Sequence, residues 1–208
     1  MFKLIRTSLI FLTFFSLFSC GESEKDAKEA KVVVEIENNF NSEDYDFILP
    51  QPISLAKAFQ AAGLNYESGQ TNPVENEKNY NDKVKQLLNL GVYSTDLAYC
   101  AINGKAQKAR SYLNSVQSLG NQVGLKPVFS DKSIIEKFKS NLNDMEAVED
   151  LIYDIQERSE EYMEDNDIRY LSVVQFSGAW TEGMYLGIKS VESKNTSNTN
   201  MVPTIVDQ

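Results

Sequence analysis

The sequence predicts an all-α protein, a helical bundle of four long helices with short accessory helices, carried behind an N-terminal disordered tether. Three observations lead there. Apolar residues recur at spacings of three and four through four long stretches between residues 77 and 191. Helix-stopping residues separate those stretches: Gly63, the pair Asn103-Gly104, Gly124 with Pro127, and Asp165-Asn166-Asp167. The one β-favouring run, Val32-Val33-Val34-Glu35-Ile36, has no partner strand after it. A lone strand cannot satisfy its edges, so that run reads as an extended arm.

Taken in order, Ser54 to about Ala62 reads as a short helix ended by Gly63, and residues 70–75 as a polar loop. A first long helix covers about 77–102. Tyr80, Val84, Leu87, Gly91, Thr95, Ala98 and Ile102 share one face, and Leu90, Tyr93, Leu97 and Cys100 add a second. The second long helix, about 105–123, carries a clean stripe of Ala109, Tyr112, Leu113, Val116, Leu119 and Val123. Asp131 or Ser133 caps a short helix over Ile134, Ile135 and Phe138 that ends near Leu142.

The third long helix, about 144–164, sets Val148, Ile152 and Ile155 towards the core. Its other face carries Glu146, Glu149, Asp150, Glu157, Glu160 and Glu161, and reads as a solvated helix face. The fourth, about 168–191, is apolar nearly all round, which predicts a place at the centre of the bundle. The domain boundaries that follow are 1–19, a leader; 20–52, the acidic tether and arm; 53–192, the helical domain; and 193–208, a polar tail containing Pro203.

Composition removes several function classes. The chain has 208 residues, a net charge of −10 and no histidine. Without histidine there is no Ser-His-Asp or Cys-His nucleophile, no zinc site of the usual type, and no Glu-x-x-His di-iron site. Glycine-rich phosphate loops and an EF-hand loop are also missing from the sequence. No cofactor and no metal site is expected. An acidic chain with scattered Lys and Arg repels phosphate backbones, so no nucleic-acid partner is expected.

The first nineteen residues have the three parts of a secretory signal: Lys3 and Arg6, a thirteen-residue apolar stretch over 7–19, and a small residue at the cleavage point. That stretch is shorter than the roughly 20 apolar residues a spanning helix needs. Leu17-Phe18-Ser19-Cys20 resembles the lipobox of bacterial lipoproteins. The resemblance implies cleavage before Cys20, a diacylglyceryl thioether on its sulfur, and an acylated amino group. Two or more acyl chains anchor stably. Gly21, where an Asp would signal inner-membrane retention, implies the outer membrane. Glu22, Glu24, Asp26 and Glu29 read as a solvated tether, and they also resemble the export signals of surface lipoproteins in Bacteroidota-like bacteria. Cleavage removes Lys3 and Arg6 and no acid, so the net charge falls from −10 to −12. Lipidation of Cys20 would leave Cys100 without a disulfide partner, and its apolar neighbours make it a small buried hydrophobe.

Two segments concentrate unusual residues: 89–99 (NLGVYSTDLAY) and 176–187 (FSGAWTEGMYLG). Gly178, Gly183 and Gly187 each cost about 1 kcal/mol relative to Ala inside a helix. With Gly91 they read as helix-packing positions that let backbones approach, or as places where a ligand meets exposed backbone. Asp96 and Glu182 are acids within the two most apolar helices, and each needs partners or solvent. They are readable as ligand-binding groups across a cleft with Tyr93, Tyr99 and Trp180, as an acid/base pair, or as a satisfied network that pins helix register.

The same two segments resemble a family of uncharacterised Bacteroidota-type lipoproteins, whose members read LGVYGADLSY and GGWIEGLYI at these places. The resemblance covers roughly Asn79 to Val191, with Ser94 and Ser177 departing from it. It implies a helical domain and no established activity. The function expected from the sequence is therefore a membrane-anchored, non-enzymatic envelope lipoprotein that binds a protein partner or supports a surface assembly. The alternatives are a small-molecule binding or sensing module with a cleft near Asp96 and Glu182, and a hydrolase using those carboxylates.

Overall fold

The computed structural model describes residues 51–141, 144–193 and Pro203. The leader, Cys20, the acidic tether, the Val32–Ile36 run and Leu142 lie outside the described residues, as does the tail apart from Pro203. Helices and turns account for the described chain, with no strand among the described residues.

Pro52–Ala61 forms α1, and Pro at its first position suits a site where the amide is unused anyway. Gly63 then turns the chain with φ 102°. A loop and a 3-10 segment, Val74–Asn79, lead into α2, Lys83–Ile102. This helix starts six residues later than its periodicity suggests. Tyr80 is extended (φ −93°, ψ 93°), and Asp82 is the true cap, its carboxylate accepting from Lys85 N at 2.8 Å. Helix α3, Ala106–Val123, ends on Gly124, whose left-handed φ of 106° lets Leu125 N donate to Gly120 O.

Asp131 caps α4, Lys132–Ser140, by accepting from Ser133 N at 2.9 Å, and Asp144 caps α5, Met145–Asp165, by accepting from Ala147 N at 3.1 Å. After Asp167 adopts φ 56°, α6 runs from Tyr170 to Ser193.

The bundle is built around α2, which touches α1, α3, α5 and α6. Tyr93, Leu90, Leu97, Ala98 and Cys100 of α2 are almost wholly buried, packed with Leu113 and Leu119 of α3 and Phe138 of α4. A smaller cluster, with Leu55, Phe59, Leu64, Tyr99 and Leu186, seats α1 over α2 and α6. Each fully buried Leu or Phe contributes about 1.5–3 kcal/mol relative to exposure.

The central position expected for the fourth long helix is thus held by α2 instead. Helix α6 packs mainly against α2, with smaller contacts to α1 and α5, and exposes Trp180 (39%), Tyr185 (43%) and Ile188 (45%) outward. The apolar count of α6 overstates its burial because the fold covers it mainly with α2 and leaves another side to solvent.

Candidate functional site

The two unusual sequence segments meet each other where α2 crosses α6. Gly91 and Gly178 bring the two backbones together. A Cβ on Gly91 would overlap Gln175 O and stand 2.7 Å from Ala179 N; one on Gly178 would overlap Leu88 O. No side chain fits there, so these two glycines are required by backbone on backbone. Thr95 Oγ1 ties the same crossing by donating to Ala179 O at 3.0 Å. Gly183 instead faces the Leu55 side chain, and Gly187 is buried.

Next to Thr95 on α2, and about one turn beyond Ala179 on α6, lies a carboxyl pair. Asp96 from α2 is fully buried, and its carboxyl lies close enough to that of Glu182 from α6 to share a hydrogen bond once one of the two is protonated. Asp96 Oδ2 accepts from Asn72 N at 3.0 Å. Asp96 Oδ1 and Glu182 Oε1 are both buried, and neither accepts from any N–H or hydroxyl of the described residues. Two carboxylates in contact resist ionising together in such a place, so the pair keeps a proton to well above the usual carboxylate range. Burial drives the Asp96 carboxyl far above the usual range, helped by the Glu182 charge and opposed by the Asn72 N–H. Burial also pushes Glu182 up to about 7, while the bond from Asp96 pulls the other way. Asp96 is the more deeply enclosed and keeps the proton longer.

The tyrosines of α2 are turned to a different task. Tyr93 Oη donates to Pro73 O at 2.9 Å, Tyr99 Oη donates to Asn65 O at 2.9 Å, and Glu67 N donates to Tyr99 Oη at 2.7 Å. Tyr112 of α3 donates to Asn72 O at 2.9 Å. Together with Asp96 they fasten the loop 65–73 to the core through its own backbone. Burial raises the phenols of Tyr93, Tyr99 and Tyr112 and pushes the Cys100 thiol up to about 12, so all four stay neutral and inert at physiological pH. The polar loop was legible as a loop; its role as the partner of three buried phenols left no signal in its composition.

The cleft expected around Tyr93, Asp96, Tyr99, Trp180 and Glu182 is not assembled. Asp96 and Glu182 come together, Tyr93 and Tyr99 are satisfied by the loop, and Trp180 is on the outer surface. Helix geometry explains the last point: positions two apart are about 200° apart around a helix, so Trp180 and Glu182 face opposite ways. A cavity of about 50 Å³ lies elsewhere, between α2, α3, α5 and α6, with Leu90, Leu97, Phe129, Ile155 and Phe176 in its walls. Neither acid lines it. Among the described residues no three Cys, Asp or Glu side chains converge as metal ligands, and no helix is long and apolar enough to cross a membrane.

The outer side of α6 was not singled out as a surface by sequence reasoning, and a signal for it exists. From Tyr170 to Ile188 the only charged residue is Glu182, which is turned inward. The exposed positions Ser177, Trp180, Thr181, Tyr185 and Ile188 therefore form an uncharged surface on a chain that is 24% charged.

Compared with known proteins, the chain matches no family model, no curated protein and no solved structure.

Proposed function

We propose that this chain is a lipid-anchored protein of the bacterial outer membrane whose helical domain docks another envelope protein through the outer face of α6, without catalysing a reaction. The observation that carries the docking half is the exposed, uncharged row of Trp180, Tyr185 and Ile188. Protein interfaces are depleted of charge and enriched in aromatic residues at their cores. A bilayer surface would call for Lys and Arg beside the aromatics, and the one Lys or Arg that α6 itself carries is Lys189, already bonded to Glu192. The partner is accordingly a protein surface with an apolar, uncharged patch. The anchoring half rests on the lipobox-like Leu17–Cys20 and on the resemblance to uncharacterised Bacteroidota-type lipoproteins.

Lys189 lies beside Tyr185, with its Nζ 6.0 Å from the ring centroid, and is a built-in crosslinking handle. Amine-reactive crosslinking on intact cells, read by mass spectrometry, should join Lys189 to a second envelope protein. Trp180→Asp should abolish that product while the protein stays in the membrane fraction, and Cys20→Ser should release it from that fraction. Crosslinks confined to another copy of the same chain, or unchanged by Trp180→Asp, would overturn the docking reading. Persistent membrane attachment of Cys20→Ser would overturn the anchor.

A further inference from the structure

We propose that Asp96 and Glu182 form a proton-held latch between α2 and α6, which stays closed while the pair keeps a proton and loosens α6 when the last one leaves to solvent. The geometry sets this up. The two carboxyls meet across this part of the crossing, and among the described residues the buried oxygens Asp96 Oδ1 and Glu182 Oε1 have no other donor. With one proton, a carboxylic acid donates to a carboxylate, a short charge-assisted bond. With none, two negative charges share a buried site and the interaction changes sign.

Nothing nearby offsets that change. The groups facing Asp96 are Glu182 from α6, the Asn72 N–H from the loop, Cys100 and Tyr93 on its own helix, and Tyr112 from α3. The thiol and phenols are neutral, and no cation acts on either carboxyl among the described residues. Among the described residues the Asn72 N–H is the one donor to the Asp96 carboxyl. The remaining bonds at the crossing, Thr95 to Ala179 and the Gly91–Gly178 contact, do not titrate, so the opening is local to the part of α6 around Glu182.

That part of α6 carries Trp180 on its other side, and exposed Tyr185 stands about one turn further along. The latch thereby regulates the docking face, a consequence that rests on the docking reading above; the latch itself does not. Acidic and neutral conditions hold the face in shape, and alkaline conditions soften it.

The test is amide hydrogen exchange of α6 residues 176–188 in the full chain from pH 6 to 9, corrected for intrinsic exchange. Wild type should open progressively above neutrality, approaching about tenfold per pH unit once the last proton is leaving. Glu182→Gln keeps a neutral donor towards Asp96, and Asp96→Asn keeps one towards Glu182; both should flatten the profile. Infrared spectra of the wild type at pH 7 should carry the carbonyl stretch of a buried protonated carboxyl, a readout that needs no variant to fold. Coincident exchange profiles for the three proteins, or absence of that band, would overturn the latch. Neither measurement involves the partner protein, so a failed crosslink and a failed latch remain distinguishable.

Discussion

Helices α2 and α6 look alike as sequences and are used differently by the fold. Both are apolar on more than one side, both contain glycine at a packing position, and each carries one inward acid. Yet twelve of the twenty residues of α2 are buried, against seven of the twenty-four of α6. The difference lies in what surrounds each. Around α2 stand α1, α3, α5, α6 and the loop 65–73, whereas α6 packs mainly on α2, makes a smaller contact with α1, and touches α5 sparingly. An apolar surface in excess of what the fold covers is a feature available for binding.

The sharpest way to break this comparison is to put a side chain where the two helices touch. Gly91→Ala and Gly178→Ala should each destabilise by about 4 kcal/mol, because the new Cβ meets helix backbone that cannot rotate away. Denaturant unfolding midpoints measure it, and a change under 1 kcal/mol would mean that the crossing is looser than described.

The next largest effect is on pH. Glu182 has an ordinary value near 4.5 when unfolded and about 7 when folded. A raised value means that the folded chain holds a proton which the unfolded chain has released. Its contribution is fully present below about pH 4.5 and is lost as pH rises to about 7, on the order of 3 kcal/mol. Stability measured across that window should therefore fall with increasing pH, and Glu182→Gln should remove the Glu182 share of the slope while buried Asp96 keeps its own. A stability that rises over the same window in wild type would contradict the buried pair.

Gly183→Ala should give the smallest change, about 1 kcal/mol by the same unfolding measurement, since the atom in the way is the far end of the Leu55 side chain. If it proves as costly as Gly91→Ala, α1 is held more rigidly than its single layer of contacts implies.

Much of the fold was legible because it is written in local chemistry. Asp131 and Asp144 announce the starts of α4 and α5, and Gly124 the end of α3, since caps act through neighbouring backbone groups. The start of α2 was misjudged because Tyr80 keeps the apolar spacing while serving the loop, its phenol accepting from Asn72 Nδ2 at 2.9 Å. The candidate site was legible only as an inventory. Asp96 and Glu182 could be named from their apolar surroundings, but eighty-six positions separate them, and periodicity carries no distance between helices. The opposed directions of Trp180 and Glu182 did follow from helix spacing alone, and that spacing already argued against a shared cleft.

The claim at the centre is that the outer face of α6 is spare, left over by the fold. Denaturant unfolding of the variant carrying Trp180→Ser, Tyr185→Ser and Ile188→Ser tests it most directly. A spare face predicts a midpoint within about 0.5 kcal/mol of wild type per substitution, as for ordinary surface changes. A loss of about 2 kcal/mol or more per residue, the cost of uncovering core, would show that this face is spoken for within the molecule.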